Sequence, residues 1–260
     1  MVYLNAAPPL PPFAFLSPPR SRVPVMPSTP RALVLIAAEM EATILRGAAA
    51  ALPDALEICV AGVGTGGDAR AIAAINETAA EIVVNPGFAG GLVDTAVPGD
   101  LFTVTQWHGL EVHALTGAAT EHLAGCLAPL APQAAIAVTV EQPAGDAATR
   151  ERLAATGATL VEMEGARWAA AAHHRGLPFV SIRVVSDDAD NALPLPRHKL
   201  LTAQGDVRWG RWLRALAQGD DAWRGQYRAL RRAQRDWIRA LETLAAVGAA
   251  LRGWEIPRPS

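Results

Sequence analysis

The stretch VEMEGARWAAAAHHRGLPFVSIRVVSDDAD, residues 161–190, predicts a helix that leads into a buried strand. Residues 166–172 are almost all apolar helix formers. Gly176 is a typical helix terminator, and Pro178 prevents the helix from continuing. Residues 179–185 then form a run rich in β-branched residues, which is typical of a strand covered on both faces. The stretch therefore predicts a helix–strand unit of an α/β protein.

Acidic residues stand at both ends of this unit. Glu162 and Glu164 precede the helix, and a polar cluster follows the strand, made of Ser186, Asp187, Asp188 and Asp190. In open α/β sheets, ligands bind beyond the carboxyl ends of the strands. We therefore expect a functional site where the predicted strand ends.

The composition fits one large α/β domain. The chain has 260 residues, 51% of them hydrophobic, and a formal net charge of -2. This length is ample for a full core, and the charge gives no electrostatic reason to expect a nucleic-acid partner. Cys59 and Cys126 lie far apart in apolar contexts, so we expect two buried reduced thiols and a cytoplasmic location. No apolar run approaches the roughly 20 residues that a membrane-spanning helix needs.

Strands and helices alternate between residues 31 and 205. Strands are predicted at 32–38, 56–61, 81–85, 100–107, 112–115 and 134–140, and helices at 39–52, 69–79, 121–130 and 147–155. This alternation predicts a single domain built on a mixed, mainly parallel sheet with helices on both sides.

Two flanking segments differ from this domain in composition. Residues 1–30 hold nine prolines and predict a disordered tail. Residues 206–260 predict a C-terminal helical extension, with helices at 207–217 and 222–254, the second of them rich in Arg and Trp. Two interpretations of this helix stay open: a solvated basic face on a helix packed against the domain, or a surface helix in peripheral contact with a membrane or a lipid-like substrate.

Two glycine-rich segments are candidates for ligand binding. Residues 62–67, GVGTGG, precede a predicted helix and include Gly64. A turn of this kind can bind an anion or a ribose hydroxyl, or it can serve close packing alone, and it lacks the full dinucleotide-binding pattern. Residues 86–92, PGFAGGL, follow a predicted strand, and their small side chains let a ligand approach the backbone closely.

Several of these motifs together resemble the nucleoside phosphorylase superfamily. VEMEG at 161–165, PF at 178–179 and RVVSD at 183–187 are similar to its signature, in particular to that of the methylthioadenosine/S-adenosylhomocysteine nucleosidases. NPGFAGGL at 85–92 and IAAEMEATIL at 36–45 resemble other motifs of the same branch, in the same order. The resemblance implies a twisted mixed sheet flanked by helices, a small-molecule nucleoside substrate, a homo-oligomer, and no cofactor or metal.

The resemblance also implies roles for individual residues. Asp187 would donate a proton to N7 of a departing purine, and Ser186 would orient its carboxyl group. Glu164 would bind the ribose hydroxyls, with Met163 packed under the sugar, and Glu41 would activate the attacking water. Protonation of the base is chemically reasonable because glycosidic cleavage passes through an oxocarbenium-like state and needs a good leaving group.

Other residues complete the expected site. Gly64, Phe88, Ala89 and Gly90 would line the substrate pocket. Glu39 is the alternative to Glu41 if the start of that helix shifts by two residues. An acid must keep its proton near neutral pH, and burial of Asp187 together with a nearby Asp188 or Asp190 could achieve this.

Departures from the family pattern bear on the nucleophile and on the base pocket. Phe88 stands where the nucleosidases have Ser or Thr, and residues 141–143 replace their stacking Phe. True phosphorylases hold phosphate with an Arg near the position of Asn85 and a hydroxyl near that of Phe88, and this chain has neither there. The departures favour water over phosphate as the nucleophile.

Two alternatives stay open. Residues 141–152, residues 187–194 and the Arg-rich C-terminal helix resemble the hopanoid-associated branch of the superfamily, which is thought to remove adenine from the lipid-linked nucleoside adenosylhopane. Phosphorolysis of such a substrate is therefore one alternative to hydrolysis. The other is a non-catalytic nucleoside-binding protein that has kept the fold.

Overall fold

Seven strands form one mixed sheet in the computed structural model, which describes residues 31–47, 54–110, 117–188 and 223–255. The strands are β1 (Ala32–Ile36), β2 (Leu56–Val60), β3 (Ile82–Gly91), β4 (Leu101–Trp107), β5 (Gln133–Thr139), β6 (Leu160–Glu162) and β7 (Phe179–Asp187). Five strand pairs are parallel, and only β3–β6 and β4–β7 are antiparallel within the described residues. The predicted mixed, mainly parallel sheet is confirmed.

Six α-helices accompany the sheet within the described residues. They are α1 (Glu39–Arg46), α2 (Thr65–Glu77), α3 (Ala118–Leu127), α4 (Ala147–Ala154), α5 (Gly165–His174) and α6 (Trp223–Arg252), with short 3₁₀ helices at Ala128–Leu130 and Gly253–Glu255. None of the helices in the described part of the chain is both long enough and apolar enough to cross a membrane.

Strand β3 is the central strand of the sheet. It pairs with β1, β6 and β7, so β3, β6, β5, β4 and β7 form a closed circuit of neighbouring strands. The sequence predicted that the strand ends at residue 85, which is wrong. Pairing with β7 continues up to Gly90, because a ladder with a strand about a hundred residues away outweighs the low strand propensity of glycine.

Strand β7 is also longer than predicted. It includes Ser186 and Asp187, which were expected just past its end. Ala89 pairs with Val185 and Gly90 pairs with Asp187, so Ser186 is the extra residue of a β-bulge. A bulge redirects side chains locally and is common beside active sites.

Strand β6 was not predicted, and Glu162 is its last residue rather than part of the front of a helix. A strand of three residues is too short to show a periodic pattern in the sequence.

Helix α6 belongs to the main core. Its residues Ala240, Leu244, Val247 and Leu251 are fully buried at helical spacing, and so is Trp254 in the 3₁₀ helix that follows. They share one apolar cluster with side chains of β1, β3, β7 and α1. Of the two interpretations of this helix, packing against the domain is therefore correct for residues 240–254.

Several sequence predictions concern residues that lie outside the described ranges. These are the tail at 1–30, the strand at 112–115, the helix at 207–217, the boundary at 205/206 and the position of Asp190. Cys59 and Cys126 do lie within the described ranges, and neither forms a disulfide. Both are only half-buried, so the predicted full burial is wrong.

Candidate active site

Glu41 links the start of α1 to the central strand. Its Oε2 accepts a hydrogen bond from the backbone N–H of Ala38 at 2.9 Å, and its Oε1 accepts one from the N–H of Phe88 at 3.0 Å. The side chain is buried. Glu39, the alternative, is half-exposed and pairs with Arg46 at 3.3 Å on the surface. Glu41 is therefore the acid that reaches the sheet.

Arg183 lies next to Glu41, on β7. A methyl group added at Gly87 would lie 2.8 Å from Arg183 Nη1 and 2.9 Å from Glu41 Oε1, so both groups approach the backbone where only glycine fits. The Arg183 Nη2 donates to Glu162 Oε2 at 3.0 Å and also to the side-chain oxygen of Asn85. Among the described residues, its Nε has no hydrogen-bond partner.

No role was predicted for Arg183 from the sequence, where it lies within a run rich in β-branched residues. A signal was present, however. An arginine in a strand covered on both faces must be paired with carboxylates or other acceptors, because an unpaired buried charge is very costly.

Glu164 and Gly64 connect the segment before α5 with the glycine-rich turn before α2. The Gly64 N–H donates to Glu164 Oε1 at 2.7 Å, and a methyl group at Gly64 would lie 3.3 Å from the Met163 Cε. Gly64 has a φ of 63°, a conformation that favours glycine. The turn thus serves as a hydrogen-bond donor to a protein carboxylate in this structure.

Burial raises the pKa of Glu164 from 4.5 to about 7. The nearby carboxylate of Glu162 adds to this rise, and that of Glu41 contributes as well, whereas Arg183 and the Gly64 N–H lower the pKa. Glu164, Glu162, Glu41 and Arg183 therefore act on one another electrostatically, although they come from three separate parts of the chain.

Asp187 lies further along β7 than Arg183, at the end of the strand. Its Oδ1 accepts a hydrogen bond from Ser186 Oγ at 2.6 Å, and its Oδ2 accepts one from the guanidinium of Arg150 on α4. The Ser186 Oγ also lies 3.2 Å from the carbonyl oxygen of Ala89. The partner predicted from the sequence was a neighbouring carboxylate, whereas the structure places Arg150 against Asp187. Asp188 instead pairs with Arg232 of α6 at 3.0 Å.

An aromatic pair joins α6 to this region. The rings of Phe88 and Trp237 lie 4.8 Å apart at 41°. Because the backbone N–H of Phe88 binds Glu41, the pair is next to the cluster of carboxylates. Trp237 could not be assigned to the site from the sequence, since nothing local indicates which face of α6 meets β3.

The end of β3 brings the predicted site residues together. Along the strand, Gly87 borders Glu41 and Arg183, and the Phe88 N–H binds Glu41. Further on, Ala89 contacts Ser186 and Gly90 pairs with Asp187. In the described ranges, no group of three or more His, Cys, Asp or Glu side chains is arranged to hold a metal ion.

The mixed sheet flanked by helices is a nucleoside phosphorylase-like fold. The sequence profile described as the Phosphorylase superfamily matches residues 112–203. The chain is similar to the nucleoside phosphorylase superfamily, in particular to its methylthioadenosine/S-adenosylhomocysteine nucleosidases.

Two relatives illustrate the sequence similarity. The 5'-methylthioadenosine/S-adenosylhomocysteine nucleosidase of Shewanella halifaxensis is 27% identical over 155 residues, which are 50% of this chain and 67% of that protein. The protein of the same name from Shewanella baltica is 30% identical over 145 residues, which are 46% of this chain and 61% of the relative. The chain thus aligns with about two thirds or less of the length of these relatives.

Solved structures show the same fold. The nucleosidase of Helicobacter pylori has a TM-score of 0.53 at 20% identity, covering 64% of this chain and 88% of that one. The futalosine hydrolase of Helicobacter pylori has a TM-score of 0.53 at 18% identity, covering 63% and 88% respectively. At such low identity these structures support the architecture alone.

Proposed function

We propose that the protein is a nucleosidase that cleaves the N-glycosidic bond of an adenine nucleoside with water. The observation that carries this proposal is that three buried acids, Glu41, Asp187 and Glu164, lie near the ends of β3 and β7. Glu41 is bound to the β3 backbone, Asp187 is paired with Gly90, and Glu164 is bound by the Gly64 N–H. The nucleosidases among the relatives support the same reaction class.

The reaction would use each acid differently. Asp187 transfers its proton to N7 of the purine as the bond between C1′ and the base breaks, so the base leaves as a neutral molecule. Water then adds to the oxocarbenium-like C1′ while Glu41 takes its proton. Glu164, in its ionised form, accepts hydrogen bonds from the ribose hydroxyls, and Met163 packs under the sugar. Release of the proton from Glu41 and reprotonation of Asp187 complete the cycle.

The charges around Glu41 support water rather than phosphate as nucleophile. Among the described residues, the buried guanidinium groups of Arg150 and Arg183 already bind carboxylates and carbonyl oxygens. In the part of the chain that the structure describes, a dianionic phosphate would have to enter beside several buried carboxylates, and like charges at short distance repel strongly in a buried site. A neutral water molecule meets no such barrier.

A second candidate function is phosphorolytic cleavage of a lipid-linked adenosine such as adenosylhopane. The Phe88–Trp237 pair favours an apolar substituent on the substrate, because it presents apolar surface beside the carboxylates. The action of the enzyme as a homo-oligomer in the cytoplasm stays a prediction.

Mass spectrometry on a nucleoside panel tests both functions. The purified protein is incubated with adenosine, methylthioadenosine, S-adenosylhomocysteine and adenosylhopane, with and without phosphate, and the free base and the sugar product are identified. Hydrolysis predicts adenine and a free sugar in phosphate-free buffer, whereas a strict phosphate requirement would favour the second candidate. Binding without any turnover would reject both and indicate a non-catalytic protein.

The two glutamates of α1 provide a matched pair of variants for this assay. Glu41→Gln should lower the rate of adenine release by about 100-fold or more, as expected for loss of a general base. Glu39→Gln removes a surface carboxylate from the same helical turn and should leave the rate unchanged. Equal effects of the two substitutions would contradict the role of Glu41.

A further inference from the structure

Arg150 is a buried arginine near the strand ends that the reaction above does not use. It lies in α4 and is only 5% exposed. Its Nε donates to the carbonyl oxygen of Ala144 at 2.9 Å. Its Nη1 donates to the carbonyl oxygens of Gly91 at 3.2 Å and Asp188 at 2.6 Å. Three backbone segments therefore fix the plane of this guanidinium.

The remaining nitrogen of Arg150 contacts the proposed acid. Nη2 donates to Oδ2 of Asp187, while Ser186 Oγ donates to Oδ1 at 2.6 Å. Each carboxyl oxygen thus has its own donor, one from α4 and one from β7. Hydrogen bonds between a guanidinium and a carboxylate are directional and are stronger than neutral ones, so the orientation of Asp187 depends on Arg150.

The sequence does not distinguish Arg150 from its neighbour Arg152. Both belong to the polar segment ATRERLA of α4, yet Arg152 is exposed. The buried position is the one whose side chain reaches the strand end. Burying an arginine is costly unless its donors find acceptors, and the four contacts of Arg150 give each of its three guanidinium nitrogens at least one acceptor.

We propose that Arg150 is a positioning residue that orients Asp187 and makes it a stronger acid toward the leaving base; this inference rests on the proposed function. When Asp187 gives its proton to N7, a carboxylate remains, and the fixed guanidinium stabilises that carboxylate. Proton transfer and cleavage of the bond to the base therefore become more favourable together. Among the described residues, Asp188 at this corner pairs with Arg232 at 3.0 Å, and Arg232 also lies 3.9 Å from Asp236.

The pH dependence of kcat for adenine release tests this role, measured on wild type, Arg150→Lys and Arg150→Gln. An acid that must hold its proton loses activity as the pH rises, so kcat has a high-pH limb. Arg150→Gln removes the charge, and we expect kcat to fall at least about tenfold and the limb to move to higher pH, with KM changed less than about threefold. Arg150→Lys keeps the charge and should recover part of the rate. Arg152→Gln is the matched control on the same helix and should behave like wild type.

Three results would overturn the inference. The first is an Arg150→Gln variant that has the wild-type kcat and an unshifted high-pH limb. The second is an Arg150→Gln variant whose kcat falls while its high-pH limb stays in place, which indicates a structural role alone. If Arg150→Gln does not fold, as judged by circular dichroism, Arg150→Lys decides: an unchanged kcat at every pH rejects the inference. Absence of base release by the wild type rejects the proposed function itself, so the two failures are distinguishable.

Discussion

Glu164→Gln should make the protein more stable at alkaline pH while weakening its binding of ribose. In wild type, burial raises the pKa of Glu164 from 4.5 to about 7. Between these values the folded protein holds a proton that the unfolded chain releases, so stability falls as the pH rises through this window. At about 1.4 kcal/mol per pH unit, the total loss is about 3 kcal/mol.

Glutamine removes this pH dependence. In wild type the Gly64 N–H donates a hydrogen bond to the Glu164 carboxylate at 2.7 Å. The amide oxygen of glutamine can still accept this hydrogen bond, but the side chain carries no charge to desolvate. The difference in unfolding free energy between variant and wild type should therefore increase by about 2 kcal/mol from pH 5 to pH 8 in favour of the variant. Urea unfolding at both pH values measures this difference. Glu39→Gln, which removes an exposed carboxylate, should show no such change.

Ribose binding should respond in the opposite direction. A carboxylate accepts two hydroxyl hydrogen bonds, and a hydrogen bond to a charged group contributes about 1.5–3 kcal/mol, so the KM of Glu164→Gln should rise about 10- to 100-fold. The wild-type KM should decrease as the pH rises through about 7, since Glu164 then ionises. An unfolding free energy difference that is equal at pH 5 and pH 8 would refute the reasoning.

Two further substitutions test the packing of the site and of the core. Gly87→Ala would place a methyl group 2.8 Å from Arg183 Nη1 and 2.9 Å from Glu41 Oε1. We therefore expect the variant to be destabilised by about 1–3 kcal/mol and to lose most of its adenine release. A fully active variant would contradict the close approach of these groups to Gly87. Leu244→Ala removes a fully buried side chain of α6 and should cost about 2–5 kcal/mol in urea unfolding, whereas a negligible cost would mean that α6 is not part of the core.

The local sequence pattern predicted those parts of the fold whose signals lie within one segment. The β-branched run of β7 and the terminator Gly176 were sufficient to place the helix–strand unit that carries Asp187. The resemblance identified Glu41, and burial in the structure distinguishes it from Glu39.

Long-range contacts account for what the sequence could not reveal. The glycines at the end of β3 resemble a loop locally and become a strand because β7 supplies a pairing partner. Arg150 resembles a surface residue of a polar helix until α4 is placed against the strand ends. Trp237 likewise joins the site only through the packing of α6 on β3.

The rate of adenine release by Asp187→Asn is the most direct test of the central claim. Asparagine is similar in size and can keep the contact with Ser186, but it has no proton to give to the leaving base. We predict that the variant keeps the wild-type fold, as judged by circular dichroism, with a lower melting temperature because the buried Arg150 loses its charged partner. We also predict that in phosphate-free buffer it releases adenine from methylthioadenosine about 100- to 10,000-fold more slowly. Wild-type turnover by a folded Asp187→Asn variant would contradict the account.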